Sequence, residues 1–402
     1  MLCNSMPAMV HGTYDSAFEP VAARLEAEVD GLGRGGAAVC VYHRGRPVVD
    51  VWTGAADAVP LTDGGTPWRE DSLAVSYSTT KGVVATALHI CVDRGELDYD
   101  DRVAEHWPGF GRNGKEDITV RQVLCHEAGL FDVASFLTGP EMVLDWEAMI
   151  AGIEAMEPAF TPGTANGYHA VTFGYLVGEL VRRVSGLGIG EFVHREIAEP
   201  LGLDGCFVGL HPDHHERLVQ ILPPTGRGAR ALLDDPGKMV ELAAQLGLTV
   251  HPDLIVAALP PTLLEARATP EWVEAPMPSG NGCFTARSLA RMYAALANGG
   301  ELDGVRLLSE KTVARATEVQ NDRPDLVIAF PMMWRLGYHG VITTAGVPEQ
   351  AFGHYGFGGS GAWADPEREL AMGLTLNALG NALAGDNRLL ELGGAAMRAA
   401  ES

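Results

Sequence analysis

The chain has 402 residues, enough for roughly two to three average domains, and 47% of them are hydrophobic. Its mean hydropathy of +0.05 is typical of a soluble protein with a sizeable core. The sequence has 52 acidic and 29 basic residues, so its formal net charge is -23. Such a charge repels phosphate backbones, and we expect no nucleic-acid partner.

At the N-terminus, the segment MLCNSMPAMVHGTYDSAFEP lacks the basic start and long apolar core of a signal peptide. No stretch reaches the apolar length that crosses a bilayer, so no membrane span is expected. Six scattered cysteines form no CxxC pair, which indicates small buried thiols in a reducing compartment. These observations predict a cytoplasmic protein.

The first predicted elements are an amphipathic helix, a hairpin and a buried helix. Apolar residues recur at helical spacing over 18–33, and two β-rich runs within 37–54 flank a charged turn. Residues 78–93 are mostly small or apolar, which predicts a deeply buried helix that stops near Gly95.

Residues 119–320 are rich in helical patterns, and the C-terminal part returns to strand character. The run at 358–378 predicts a second hairpin around Asp365-Pro366-Glu367, followed by a helix at about 386–400. Strands lie at both ends of the chain, so we predict that they pair into one antiparallel sheet with flanking helices.

This pattern predicts an α/β (α+β) protein of two domains. Residues 1–115 and 325–402 would form the α/β domain with the antiparallel sheet, and 116–324 a mainly helical domain. The stretch 211–276 is rich in proline and apolar residues. It is interpreted either as a lid over a site or as a packed surface excursion.

The segment SYSTTKG places Lys81 three residues after Ser78, at the start of the predicted buried helix. Residues at this spacing share a helix face, and a buried lysine can act as the base that a serine nucleophile requires. Lysine is so scarce here that chance predicts on the order of 0.1 such matches. The helix N-terminus would also favour an oxyanion. The structural alternative is a helix cap followed by a lysine that reaches solvent.

Two further segments offer the remaining parts of an acyl-transfer site. Tyr168 stands on a loop before a helix and is the candidate second proton carrier, provided that nearby cations lower its pKa. The glycine-rich run at 352–367 enters a strand, whose edge could approach a substrate closely and donate an oxyanion N–H. An ordinary glycine-rich turn is the alternative.

Other catalytic patterns fit poorly. No Gly-x-Ser-x-Gly occurs, since GGSGA has Ala362 in place of the second glycine, which argues against the nucleophile elbow of α/β-hydrolases. The histidine-rich HPDHHE at 211–216 lacks helical HExxH spacing and is interpreted as a solvated turn. We therefore expect no metal and no other cofactor.

Taken together, Ser78-Thr79-Thr80-Lys81, Tyr168 and the glycine-rich run resemble the serine β-lactamase and penicillin-binding-protein superfamily. Within it, class C β-lactamases and family VIII carboxylesterases are closest. The resemblance covers nearly the whole chain and includes the segments AAVCVYHRGRPVVDVWTGAAD and ITVRQVLCHEAGL. It implies the β-lactamase/transpeptidase-like fold.

The resemblance also implies catalytic roles. Ser78 would be the acylated nucleophile and Lys81 would help to remove its proton. Tyr168 would relay that proton to the leaving group and later activate the deacylating water. His126, in the recurrent motif CHEAGL, would have a structural role.

The substrate side of the site follows from the same resemblance. His354-Tyr355-Gly356 stands where the family has a Lys-Thr-Gly strand motif, and these residues would bind substrate. Phe357 would then offer an oxyanion N–H beside that of Ser78.

Two departures from the family pattern bear on the substrate. Tyr168 is followed by His169-Ala170, so the asparagine of the usual Tyr-x-Asn is missing, and His354 replaces a lysine. Both weaken recognition of penicillins, so a small-molecule ester of small or medium size is the expected substrate. The alternatives are a β-lactamase, a D-amino-acid peptidase or an acyltransferase on the same fold, and a non-catalytic penicillin-binding-like protein.

Overall fold

The computed structural model describes residues 9–224, 240–241, 244–245, 247–260, 263, 271–380 and 386–402. Its strands are β1 (His11–Tyr14), β2 (Gly36–His43), β3 (Arg46–Gly54), β4 (Ala74–Val75), β5 (Cys206–Phe207), β6 (Cys283–Phe284), β7 (Glu301–Leu302), β8 (Val305–Arg306), β9 (His339–Gly340), β10 (Phe352–Tyr355), β11 (Gly361–Asp365) and β12 (Leu370–Leu376).

The α-helices among the described residues are α1 (Glu19–Leu32), α2 (Thr79–Asp93), α3 (Val103–His106), α4 (Val120–Leu124), α5 (Trp146–Ala155), α6 (Thr172–Ser185), α7 (Ile189–Val193), α8 (Glu199–Leu201), α9 (Pro252–Ala258), α10 (Glu271–Glu274), α11 (Ala286–Ala297), α12 (Glu310–Thr317) and α13 (Asn387–Ala400). The predicted helices at 18–33, 78–93 and 386–400 are thereby confirmed to within a residue or so.

The main sheet joins the two ends of the chain. Its seven antiparallel strands run in the order β1-β3-β2-β12-β11-β10-β9. The central pairing places Met372 of β12 opposite Val41 of β2, so the C-terminal hairpin extends the N-terminal one. Both hairpins and the pairing of the chain ends are therefore confirmed.

Helices cover both faces of this sheet. Leu374 of β12 packs among residues of α1 and α13, including Leu25 and Leu392. Its neighbour Gly373 faces the other way, where an added Cβ would come within 2.4 Å of the Ala286 oxygen at the start of α11. Successive strand residues point to opposite faces, so α11 lies on the face opposite to α1 and α13.

The packing of α11 bears on the predicted domains. This helix lies against β2, β11 and β12, although its sequence falls inside the range 116–324 that was assigned to the helical domain. The proposed boundaries remain a prediction. Helix α2 lies between the two parts, since it contacts α6 as well as β10.

The predicted lid, 211–276, lies partly outside the described residues. Its first described part is the 3₁₀ helix Pro212–Arg217, which carries the exposed histidine-rich turn. Its described helix α9 contributes Leu254, Ala257 and Ala258 to an apolar cluster that also contains Tyr168.

The five cysteines within the described residues are unpaired and buried, as predicted: Cys40, Cys91, Cys125, Cys206 and Cys283. Cys3 lies outside the described residues. In the part of the chain that the structure describes, no helix combines the length and apolar character needed to span a membrane.

Candidate active site

Ser78 occupies the N-cap position of α2, and its side chain makes no capping hydrogen bond. Every other residue from 72 to 92 is buried, whereas Ser78 is partly exposed. The preceding residue, Tyr77, has a φ of 47°, which is uncommon for a residue with a side chain and is often found at functional sites. The fold thus places a partly exposed Ser78 at the N-terminal end of a buried helix.

Lys81 lies one turn along the helix and is completely buried. Its Nζ lies 3.0 Å from Ser78 Oγ, 2.8 Å from the Ala170 oxygen and 2.8 Å from the Ser279 oxygen. Burial disfavours the ammonium form and holds the pKa of Lys81 well below its usual value.

The lowered pKa favours a neutral amine, and the three contacts can accommodate one. Its two N–H groups serve the carbonyls of Ala170 and Ser279, which can only accept, and its lone pair then faces the hydroxyl of Ser78. This arrangement is suited to removing the proton of Ser78.

Tyr168 lies beside this pair and is 8% exposed. Its phenol hydrogen-bonds with Ser78, and its ring centroid is 5.0 Å from Lys81 Nζ. The ring stacks on Trp334 at 5.6 Å with an interplanar angle of 9°. Burial raises the pKa of Tyr168, so the condition that cations lower this pKa is not met. The phenol is therefore neutral and holds a proton that it can donate.

A histidine pair supports the loop of Tyr168. His169 Nε2 accepts the Leu130 N–H at 2.9 Å, so His169 Nδ1 carries the proton and donates to His126 Nδ1 at 3.1 Å. His126 Nδ1 also accepts the backbone N–H of His169. Burial lowers the pKa of His169 to about 3 and that of His126 well below its usual value, so both rings are neutral. The expected structural role of His126 agrees with these contacts.

His354 lies on β10 and is 2% exposed. Its Nδ1 donates to the Tyr355 oxygen at 3.0 Å, so Nε2 carries no proton. This Nε2 is buried and has no hydrogen-bond partner among the described residues. Burial holds the pKa of His354 well below its usual value. His354, which stands where the family motif has a lysine, is therefore neutral.

The hydroxyl of Tyr355 donates to the Ile342 oxygen at 2.9 Å and accepts the Ile342 N–H at 3.1 Å. Its backbone N–H donates to His339 Nε2 at 2.9 Å. These hydrogen bonds tie β10 to the neighbouring segment. The substrate-binding role of Tyr355 remains a prediction.

Gly356 brings the end of β10 against the start of α2. A Cβ at this position would lie 2.2 Å from the Ser76 oxygen and 2.8 Å from Thr79 Oγ1. Phe357, the next residue, sets its ring edge-on to Tyr77 at 5.7 Å. The predicted oxyanion donors, the N–H groups of Ser78 and Phe357, thus belong to segments in direct contact.

Replacing Gly356 with alanine is expected to destabilise the fold by about 1–3 kcal/mol, because the new Cβ would overlap a backbone oxygen that cannot move freely. Ester hydrolysis should fall as well, since α2 and β10 would be forced apart. Urea unfolding and steady-state kinetics measure the two effects. The control is Gly31→Ala in α1, where nothing lies within 4 Å of the new Cβ. That variant should be as active and as stable as the wild type, or slightly more stable.

Sequence reasoning missed three residues at this site. Ser279 contributes the carbonyl that contacts Lys81, Trp334 stacks on Tyr168, and Asp325 accepts the backbone N–H of Tyr168 at 3.0 Å. No sequence motif marks them, because each acts on residues distant in the chain. Around Tyr168, partly exposed apolar side chains complete the surroundings: Phe160, Leu254, Ala257, Ile328 and Met332.

No group of three or more metal-ligating side chains is arranged to hold a metal among the described residues. The histidine-rich turn places His211 next to Asp213 and His215 next to Glu274, at distances of 3.3 and 3.5 Å. These are surface pairs.

A serine, a buried lysine and a tyrosine thus meet at the junction of a helix and a sheet edge, and comparison with known proteins defines the class. A family model described as Beta-lactamase matches residues 21–395. The chain therefore belongs to the beta-lactamase family, which confirms the resemblance and the fold class inferred from its motifs.

Individual relatives are similar over most of their length. The esterase/beta-lactamase LipL of Mycobacterium tuberculosis is 39% identical over 374 residues, covering 92% of this chain and 83% of that protein. A family VIII carboxylesterase of known structure is 34% identical, with a TM-score of 0.85 over 97% of this chain and 100% of that one. A penicillin-binding protein homologue from Caulobacter crescentus is 35% identical, with a TM-score of 0.86 over the same shares.

Proposed function

We propose that this chain is a serine esterase that cleaves neutral carboxylic esters of small or medium size through an acyl-enzyme on Ser78. The observation that carries the proposal is the completely buried Lys81, whose Nζ lies 3.0 Å from Ser78 Oγ. The family, which includes an esterase/beta-lactamase and a family VIII carboxylesterase, supports the same reaction class.

In the proposed acylation, Ser78 Oγ bonds to the ester carbonyl carbon while its proton passes to Lys81 Nζ. The N–H groups of Ser78 and Phe357 stabilise the resulting oxyanion. The bond to the alcohol oxygen then breaks, and that oxygen takes the phenol proton of Tyr168. Lys81 returns its extra proton to Tyr168, so the site is neutral again with an acylated Ser78.

Deacylation uses the same groups in reverse. A water oxygen bonds to the acyl carbon as its proton passes to Tyr168, while the phenol proton moves on to Lys81. The tetrahedral adduct collapses, the bond to Ser78 Oγ breaks, and Oγ recovers a proton from Lys81. The free acid leaves.

The preference for neutral substrates rests on the charges around the site. Lys81 is engaged with Ser78 and two carbonyls, and His354 is neutral. Arg335 is 2% exposed and donates to the backbone oxygens of residues 317, 333 and 349. A carboxylate on the substrate would therefore lack a free cationic partner among these residues, and burying an unpaired charge is costly.

A matched pair of esters tests this proposal on the wild-type protein. We expect para-nitrophenyl butyrate to be cleaved with a kcat/KM roughly 100-fold above that of the mono-para-nitrophenyl ester of succinic acid, whose chain ends in a carboxylate. A fluorophosphonate should label Ser78, as located by peptide mass spectrometry. Equal rates on both esters would contradict the preference for neutral substrates.

Amide substrates and acyl acceptors separate the alternatives. Nitrocefin turnover comparable to that of the butyrate ester would favour a β-lactamase, and release of D-alanine from a D-alanyl dipeptide would favour a peptidase. An added alcohol that becomes acylated would indicate acyl transfer. Failure of every acyl probe to form a covalent adduct would favour a non-catalytic binding protein. A cytoplasmic location remains a prediction, which cell fractionation tests.

A further inference from the structure

Asp325 is a buried carboxylate that contacts the loop of Tyr168. Along the chain it lies in the segment that connects α12 to β9, and it is 2% exposed. Its Oδ1 accepts the backbone N–H of Tyr168 at 3.0 Å, and also those of Val327 at 2.8 Å and Ile328 at 3.1 Å. One oxygen therefore ties the tyrosine backbone to the segment that follows Asp325.

The second carboxylate oxygen of Asp325 accepts hydrogen bonds from two side chains near Tyr168. Asp325 Oδ2 accepts the side-chain N–H of Asn166 at 3.1 Å and the indole N–H of Trp334 at 3.3 Å. The Trp334 ring is the surface on which Tyr168 stacks. A single side chain thus fixes both the backbone of Tyr168 and the ring beneath its phenol.

Asp325 forms no ion pair with any arginine or lysine of the described residues, so five N–H donors alone offset its buried charge. Burial raises the pKa of Asp325, whereas the N–H donors around it favour the charged carboxylate. The negative charge also opposes loss of the phenol proton and so raises the pKa of Tyr168. Asp325 therefore favours a tyrosine that retains its proton.

We propose that Asp325 is a positioning residue for proton transfer by Tyr168: it holds the backbone of Tyr168 and the Trp334 ring so that the phenol meets the leaving group at Ser78. The proposal rests on the esterase function proposed above. It predicts that Asp325 matters most for substrates whose leaving group needs a proton.

Two butyrate esters differ in that need. Para-nitrophenolate leaves readily without a proton, whereas an ethoxide must be protonated as it leaves. For both esters kcat/KM reports acylation, the step in which Tyr168 would act. A purely structural role of Asp325 would reduce both values equally.

The test variant is Asp325→Asn, which keeps the shape but turns an NH₂ toward the donors of Asn166 and Trp334. We expect kcat/KM for ethyl butyrate to fall about 100-fold, and that for para-nitrophenyl butyrate less than about 5-fold. Tyr168→Phe should show the same selectivity. The double variant should be little worse than Tyr168→Phe alone, because the two residues act through one step.

The matched control is Asp365→Asn. Asp365 is also a completely buried aspartate, but it accepts from the Glu367 N–H and from Arg368 at the far end of β11. This variant should lose stability in urea unfolding without distinguishing the two esters. If Asp325→Asn fails to fold, Trp334→Phe is the second test variant, because it keeps a stacking ring and removes one hydrogen-bond donor to Asp325. Its kcat/KM for ethyl butyrate should fall selectively, by roughly 3–10-fold.

The outcomes are separable. A wild type that cleaves neither ester contradicts the proposed function and not the role of Asp325. A wild type that cleaves both, with Asp325→Asn losing activity equally on the two esters or not at all, overturns the positioning role. Additive losses in the double variant would overturn it too.

Discussion

Replacing Ser78 with alanine is expected to abolish ester hydrolysis, with a loss of at least about 10⁴-fold in kcat. The hydroxyl is the group that forms the acyl-enzyme in the proposed reaction, and the water of deacylation acts only on that acyl-enzyme. Fluorophosphonate labelling should disappear together with hydrolysis of para-nitrophenyl butyrate. Folding should be unaffected, because Ser78 is partly exposed and its side chain makes no capping hydrogen bond.

The control for Ser78 lies in the same heptapeptide. Ser76 is completely buried, and its hydroxyl donates to the Ala74 oxygen at 3.1 Å. Ser76→Ala should cost about 1 kcal/mol of stability and retain most of the activity. If Ser78→Ala stays active and Ser76→Ala does not, the assignment of the nucleophile is wrong.

Replacing Lys81 with methionine should reduce kcat by roughly 10²–10⁴-fold, because it removes the amine that lies beside the Ser78 hydroxyl. Methionine is of similar length and apolar, so it suits a fully buried position. The carbonyls of Ala170 and Ser279 lose their partner, which should cost about 1–3 kcal/mol of stability each, partly offset because a buried amine is removed. Stopped-flow measurement of the acylation burst isolates the chemical effect.

A second buried lysine provides the matched control. Lys115 is also fully buried and donates to the backbone oxygens of Glu154 and Met156, away from Ser78. Lys115→Met should lose comparable stability while its acylation rate stays near that of the wild type. If both variants lose activity to the same degree, the loss comes from unfolding and Lys81 has no special chemical role.

The pattern of residues was sufficient for the local elements and for the main parts of the site. Helix α2 and the two hairpins follow from periodicity and turn residues, which act over a few positions. The spacing of Ser78 and Lys81 is itself a property of a helix, so their contact could be predicted. The family resemblance added Tyr168 and the segment around Gly356.

Other properties of the site could not be predicted, because they depend on burial and on contacts between distant parts of the chain. Ala170 contacts Lys81 through its backbone oxygen, which no side-chain pattern reveals. Asp325 lies 157 residues beyond Tyr168, and no motif links the two. The pKa of Tyr168 is raised because burial outweighs its hydrogen bond with Ser78.

By itself, the sequence determined the fold class, the family and the contact between Ser78 and Lys81, because these rest on local spacing and on an ordered set of motifs. Only the tertiary structure decided the protonation states. Burial lowers the pKa of Lys81 and that of His354, since the charged form of each loses its hydration inside the protein. The carboxylate that holds Tyr168 in position also became visible only when the chain was folded, because hydrogen bonds over such separations leave no local pattern.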